Sequence, residues 1–91
     1  MDSPNRIDYR VTRHAPVRGD DDVLWVSIAR WMHQDGSIQW CLEYWDDVGE
    51  ADHDLEVSDE EAAVAQAFEE FGIGAADWRP GPQPWGRPES G

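Results

Sequence analysis

Residues 23–45 read VLWVSIARWMHQDGSIQWCLEYW, and this stretch decides the fold. Residues 23–33 and 38–45 are rich in β-branched and aromatic side chains, which is typical of strands. Asp35-Gly36 between the two runs is the dipeptide most typical of a tight hairpin turn. The stretch therefore predicts two antiparallel strands joined at Asp35-Gly36.

The type of turn sets which side chains share a face. A two-residue type I′ turn at Asp35-Gly36 would place Trp31 opposite Trp40, because the side-chain period of a strand is two. A three-residue loop would shift the pairing and mix the two faces. With the type I′ turn, one face is expected to form the core, and it carries Trp31, Ile38, Trp40, Leu42 and Tyr44.

A strand is expected before the hairpin and a helix after it. Ile7, Tyr9 and Val11 alternate with polar residues, which indicates a half-buried strand. Ser58 and Glu61 fit a capping box, which predicts a helix over residues 59–71. Its expected apolar stripe is Val64, Phe68 and Phe71.

These elements predict an α+β domain, in which a three-stranded antiparallel β-meander carries one C-terminal helix on its aromatic face (β-β-β-α). The domain is expected to span residues 1–78. Residues 79–91 contain four of the six prolines, and they are expected to form a flexible Pro/Gly-rich tail. Deleting residues 81–91 is then expected to leave the melting temperature unchanged.

Charge is distributed unevenly along the chain. The net charge is −13, and the segment from Trp31 to Trp78 has fourteen Asp or Glu and no Lys or Arg. A surface of this kind repels nucleic acid and attracts basic proteins. Biased composition alone would not leave five Arg in the first thirty residues and none in this segment.

No motif in the chain indicates a reaction. Cys41 is the only cysteine, which excludes an internal disulfide and favours a reducing compartment. The three histidines lack metal-ligand spacing, and no window fits an EF-hand loop. The N-terminus lacks a signal-peptide core, and no apolar run is long enough to span a membrane. We expect a cytoplasmic protein without enzymatic activity, metal or cofactor.

An acidic loop, DDVGEADHDLE, is expected to follow the hairpin at residues 46–56. Its carboxylates have no compensating cation nearby, so their potentials add. Trp45 adjoins the loop, and Trp is enriched at the energetic centres of interfaces. The candidate partner-binding residues are Trp45, Asp46, Asp47, Glu50, Asp52, Asp54 and Glu56.

The main hypothesis is a non-enzymatic acidic protein that docks on a basic partner protein, as an inhibitor, an immunity protein or a nucleic-acid mimic. Direct contact with nucleic acid or a membrane is not expected. One alternative is an accessory subunit that stabilises a larger biosynthetic enzyme, with the charge serving solubility. Another is a small-ligand-binding domain, which would need a cavity between sheet and helix.

Overall fold

The computed structural model describes residues 6–18, 22–46 and 49–84, without the side chains of Arg6, Ile7 and Asp52. The elements in chain order are β1 (Arg6–Pro16), β2 (Trp25–His33), β3 (Ile38–Trp45), β4 (Ala51–Val57), α1 (Glu60–Phe71) and β5 (Arg79–Pro80). The strands form one antiparallel sheet in the order β4-β3-β2-β1-β5. The α+β class and the β1–β3 meander are confirmed, and the sheet has two strands more than predicted.

The turn between β2 and β3 differs from the predicted type I′ turn. The Gly36 amide donates to the His33 carbonyl at 3.0 Å, and the His33 amide donates to the Ser37 carbonyl at 2.9 Å. Gly36 has a φ of 90°. This pattern is a type I turn closed by a glycine bulge, which is the common three-residue hairpin loop. The bulge shifts the register by one residue, so Arg30 rather than Trp31 lies opposite Trp40.

The shifted register divides the aromatic residues between the two faces. Helix α1 packs on a core that includes Val26, Ile28, Leu42 and Tyr44, with Trp40 partly buried beside them. Trp31 pairs with Gln39 and therefore lies on the opposite face. Of the residues predicted for the core face, Ile38, Trp40, Leu42 and Tyr44 lie on the helix side. The placement of Trp31 on that face is wrong, because the bulge moves Trp31 away from Trp40.

Helix α1 packs on the core through two alanines and through Val64 and Phe71 of the predicted apolar stripe. Ala63 and Ala67 are fully buried, whereas Phe68, which was predicted to belong to the apolar stripe, is 63% exposed. The N-cap is Asp59, whose side chain accepts the Ala62 amide at 2.8 Å. Gly72, at a φ of 71°, ends the helix and donates to the Phe68 carbonyl. Two alanines on the packing face allow the helix axis to lie close to the sheet.

The predicted acidic loop is a strand over most of its length. Strand β4, ADHDLEV, pairs with β3 along one edge of the sheet. Leu55 lies opposite Leu42 and joins the helix-side core. Leu55 and Val57 alternate with Asp54 and Glu56, so the apolar pair packs on the core and the acidic pair projects from the opposite face.

The chain after the helix returns to the far edge of the sheet. A 3-10 turn, Ala75–Asp77, leads to β5, which pairs with His14 and Arg13 of β1. The Gly81 amide donates to the Thr12 carbonyl at 3.0 Å, and His14 Nδ1 lies 2.8 Å from the Gly81 carbonyl oxygen. The sheet thus takes in the first residues of the predicted tail. In the described part of the chain, no helix is long and apolar enough to cross a membrane.

Candidate docking surface

The sheet face turned away from α1 is the candidate site, and we call it the open face. Its described side chains follow from the strand register. Small residues at its centre, Ser27, Ala29 and Cys41, are almost completely buried although the helix packs on the other side. Larger side chains of the same face therefore cover them. On strands β1–β4 the open face includes Tyr9, Val11, His14, Trp25, Ser27, Ala29, Trp31, Gln39, Cys41, Glu43, Trp45, Asp54 and Glu56.

A hydrogen-bonded chain fixes the aromatic side chains of the open face. Trp45 Nε1 donates to Ser27 Oγ at 2.8 Å, and Ser27 Oγ donates to Glu43 Oε1 at 3.2 Å. Tyr9 Oη donates to the same carboxylate oxygen at 2.7 Å, reaching from β1 across β2 to β3. The Tyr9 ring also lies 4.3 Å from the Trp31 ring, centroid to centroid. The face is therefore preorganised, since its polar atoms are already paired within the sheet.

Glu43 is the buried acid of this surface, with 7% of its area exposed. Burial raises the pKa of its carboxyl, and the nearby Asp54 adds to the rise, while the hydrogen bonds from Tyr9 and Ser27 oppose it. Burial also raises the pKa of the Cys41 thiol, and the surrounding carboxylates act in the same direction. A buried thiol held in its protonated form is a packing residue rather than a nucleophile.

The exposed acids on the open face come from β4. Asp54 lies opposite Glu43, and Glu56 lies opposite Cys41. Both side chains are exposed. They project beside a half-buried aromatic surface, so the face combines negative charge with apolar area.

The two arginines that form ion pairs in the described structure lie away from the open face. Arg13 Nε is 3.1 Å from Glu60 at the start of the helix, and Arg30 pairs with Asp8 at 3.6 Å. Both arginines are on the helix side of the sheet. Arg79 of β5 shares the open face, but four strand spacings separate it from β4, about 19 Å. Among the described side chains of β1–β4, the open face has no Lys or Arg.

A cavity of about 430 Å³ lies at one end of the open face. Its walls are Trp25, Trp45, Asp46, Gly49 and residues 82–84, and we call it the aromatic pocket. Trp25 and Trp45 lie directly opposite each other on β2 and β3. The volume falls within the range of small-ligand pockets, which are usually apolar with a few polar groups.

The structure brings together only part of the predicted partner-binding set. Trp45 and Asp46 line the aromatic pocket, and Asp54 and Glu56 lie on the open face. Glu50 is an exposed residue of the β3–β4 loop, and its amide donates to Asp46 Oδ1 at 2.9 Å. Asp47 and the Asp52 side chain lie outside the described residues.

Sequence reasoning missed Tyr9, Trp25 and Glu43 as members of the site. Tyr9 and Glu43 are 34 positions apart in the sequence. They meet because only one strand, β2, lies between β1 and β3 in the sheet. The available signal was the alternation of Ile7, Tyr9 and Val11, which gives a strand but not its partner.

Among the described residues, no group of three or more His, Cys, Asp or Glu side chains converges in a way that could hold a metal ion. The chain matches no family model, and searches of curated proteins and of solved structures gave no significant match.

Proposed function

We propose that this chain is a non-enzymatic binding protein that docks its open face and the acidic strand β4 on a basic partner protein. The observation that carries the proposal is the segregation of charge: Asp54 and Glu56 project from the open face, whereas Arg13 and Arg30 are paired on the helix side. A surface region of one sign, such as the β4 side of the open face, accelerates association with a partner of opposite sign and disfavours like-charged competitors.

The aromatic side chains support docking rather than charge alone. Tyr9 is 40% exposed, and Trp31 and Trp45 are half-buried at the same face. Aromatic groups that are already fixed lose little conformational entropy on binding, and they contribute most where a partner excludes water from them. The acids would then set the rate of association, and the aromatics the rate of dissociation.

The proposal covers an inhibitor, an immunity protein and a nucleic-acid mimic, because all three would bind by the same attraction between opposite charges. In each case carboxylates occupy a basic surface that would otherwise bind phosphates. The net charge of −13 disfavours both nucleic acid and a second copy of the chain as the occupant.

The test uses the chain as bait for its partner in lysate of the source organism, with loading at low salt and elution at high salt. The captured protein is identified and purified, and its association rate is measured with wild type, with Asp54→Lys/Glu56→Lys, and with the charge-matched control Glu61→Lys/Glu69→Lys. Glu61 and Glu69 are exposed on the helix. The β4 variant is expected to associate about tenfold more slowly or worse at low salt, whereas the control should stay near wild type.

Salt provides the second readout. The Debye length falls from about 10 Å at 0.1 M to about 3 Å at 1 M, so the wild-type rate should fall steeply and the β4 variant should show little dependence. Equal rates for all three proteins would contradict the proposal. The carboxylates would then act as a solubility device, and the accessory-subunit hypothesis would take its place.

A further inference from the structure

The aromatic pocket has chemistry that the general acidity of the open face does not explain. Trp25 is only 5% exposed, and its ring lies 5.6 Å from the His14 ring in an edge-on arrangement. The indole N–H of Trp45 is already used by Ser27 Oγ. What Trp45 offers to the pocket is therefore the carbon surface of its ring, held in a fixed orientation.

The pocket also has a negative charge held at its wall. Asp46 Oδ1 accepts the Glu50 amide at 2.9 Å, and the Asp46 amide donates to the Glu50 carbonyl at 3.0 Å. This pair of bonds closes the loop and fixes the position of the carboxylate. A charge fixed by the backbone needs no reorganisation when a cation arrives.

Gln83 on the opposite wall adds a second acceptor. Its Oε1 is buried and has no hydrogen-bond partner among the described residues. A buried acceptor without a partner is unfavourable, and a ligand donor that reaches it would supply the missing hydrogen bond. The pocket therefore favours a group that has donors and no acceptor.

These three properties match the side chain of arginine. A guanidinium is planar, stacks on aromatic rings, carries five N–H donors without an acceptor, and is more weakly hydrated than an ammonium. An arginine over an indole gains cation–π energy, and Asp46 would supply the counter-charge. A neutral apolar side chain would bring no positive charge to offset the desolvation of the Asp46 carboxylate.

We propose that the aromatic pocket receives one arginine side chain of the basic partner, stacked against Trp45 and bound by Asp46. This proposal rests on the proposed function, since it assigns one residue type of that partner to one cavity. It also gives the interface a contact that is specific for one residue type, whereas the carboxylates of β4 provide only long-range electrostatic attraction.

The test titrates the ¹⁵N-labelled full chain with N-acetyl-arginine amide and follows the tryptophan indole signals by NMR. N-acetyl-lysine amide and N-acetyl-norleucine amide are the comparison probes. A single side chain should bind weakly, with a dissociation constant on the order of millimolar. Saturable shifts of the Trp25 and Trp45 signals with the arginine probe, and much weaker ones with the other two, are expected.

Asp46→Asn and Asp35→Asn form the matched pair of variants. Each aspartate accepts a backbone amide in a hairpin or loop, from Glu50 and Ser37 respectively, and asparagine keeps an acceptor there. Asp46→Asn should weaken the arginine probe about fivefold, and Asp35→Asn should leave it unchanged. The absence of saturable shifts, equal binding of norleucine, or equal effects of the two variants would overturn the proposal.

The two proposals fail in different ways. If the arginine probe does not bind but Asp54→Lys/Glu56→Lys still slows association with the partner, the pocket assignment is wrong and the docking function remains. If the probe binds and the β4 variant associates like wild type, the docking proposal is wrong and the pocket remains an arginine site.

Discussion

Tyr9 Oη donates to Glu43 Oε1 at 2.7 Å, and this bond joins β1 to β3 over the top of β2. It brings β1, the first strand of the chain, into contact with the buried acid of the open face. Glu43 is almost fully buried, so the hydrogen bond replaces water that the carboxylate has lost.

Tyr9→Phe should therefore lower the free energy of unfolding by about 1–3 kcal/mol at neutral pH, because it leaves a buried carboxylate short of a donor. Tyr44→Phe is the matched control. Tyr44 Oη also donates to a carboxylate, Glu70 Oε2 at 2.9 Å, but Glu70 is exposed and water can take its place. Denaturant unfolding of the two variants measures the difference. Equal losses of unfolding free energy in the two variants would mean that the burial of Glu43 does not determine the effect of removing the tyrosine hydroxyl.

Glu43→Gln should change how stability depends on pH. The folded-state pKa of Glu43 is raised above its ordinary value of 4.5, chiefly by burial. The folded state then binds the proton more tightly than the unfolded state, so this contribution to stability is present below 4.5 and is lost as the pH rises through the folded-state pKa.

Glutamine does not titrate, and it keeps an oxygen acceptor for Tyr9 and Ser27. The unfolding free energy of Glu43→Gln minus that of wild type should therefore increase with pH and then level off. Unfolding curves of both proteins from mildly acid to neutral pH give this difference. The prediction concerns how the difference changes with pH, not its absolute value. A difference that decreases with rising pH would mean that the carboxyl pKa is lowered.

The sequence predicts the three central strands and the helix because each has a strong local signal. Strand β4 was missed because six acids in residues 46–56 dominate the composition and indicate a loop. The available signal was the alternation of Ala51, His53, Leu55 and Val57 with acidic residues. Pairing with β3 and burial of Leu55 outweigh the poor strand propensity of Asp.

The candidate site was harder to predict than the fold because it depends on register. Asp-Gly is compatible with a type I′ turn and with a type I turn plus glycine bulge, and the two differ by one residue. That residue decides whether Trp31 lies under the helix or on the open face. Trp45 and Asp46 were predicted from the residues next to them in the sequence. Residues 82–84 come to the pocket only because β5 pairs with β1, which the sequence does not indicate.

Gly36→Val should lower the free energy of unfolding by about 1–3 kcal/mol, because valine resists a positive φ. A Cβ at Gly36 would meet nothing within 4 Å, so the cost is confined to the backbone. Gly74→Ala is the control, since Gly74 has a φ of −84° and its Cβ would lie 3.6 Å from Asp77. Thermal unfolding should show a clear loss for Gly36→Val alone, and an unchanged midpoint for that variant would contradict the observed turn.

Ala67→Leu tests how closely the helix lies on the sheet. Ala67 is fully buried against the core, whereas Ala65, on the same helix, is exposed. Three additional carbons at Ala67 should force the helix outward and cost about 1–3 kcal/mol. The same change at Ala65 should be nearly neutral, because leucine and alanine have similar helix propensity. Denaturant midpoints that fall equally for both variants would indicate a different packing face.

Truncation of the C-terminal segment should reduce stability, contrary to the expectation from its Pro/Gly composition. Residues 81–84 make contacts that composition does not reveal: Gly81 exchanges hydrogen bonds with Thr12 and His14, and residues 82–84 form a wall of the aromatic pocket. Removing them takes two hydrogen bonds from β1 and uncovers part of Trp25. At about 25 cal/mol per Å² of apolar surface, and about 1 kcal/mol per hydrogen bond, the loss should reach a few kcal/mol.

Two truncations separate these contacts from the rest of the segment. The chain ending at residue 80 lacks residues 81–84, and the chain ending at residue 84 keeps them, so the difference between their melting temperatures reports on these four residues. For a domain of this size, 1 kcal/mol shifts the melting temperature by roughly 4–8 °C. The shorter chain should melt at a clearly lower temperature than the longer one. It should also lose the arginine probe, because the Gln83 wall of the pocket is gone. Equal melting temperatures would mean that the stable domain ends at residue 80 or before. They would also mean that residues 82–84 do not cover Trp25 as the structure shows.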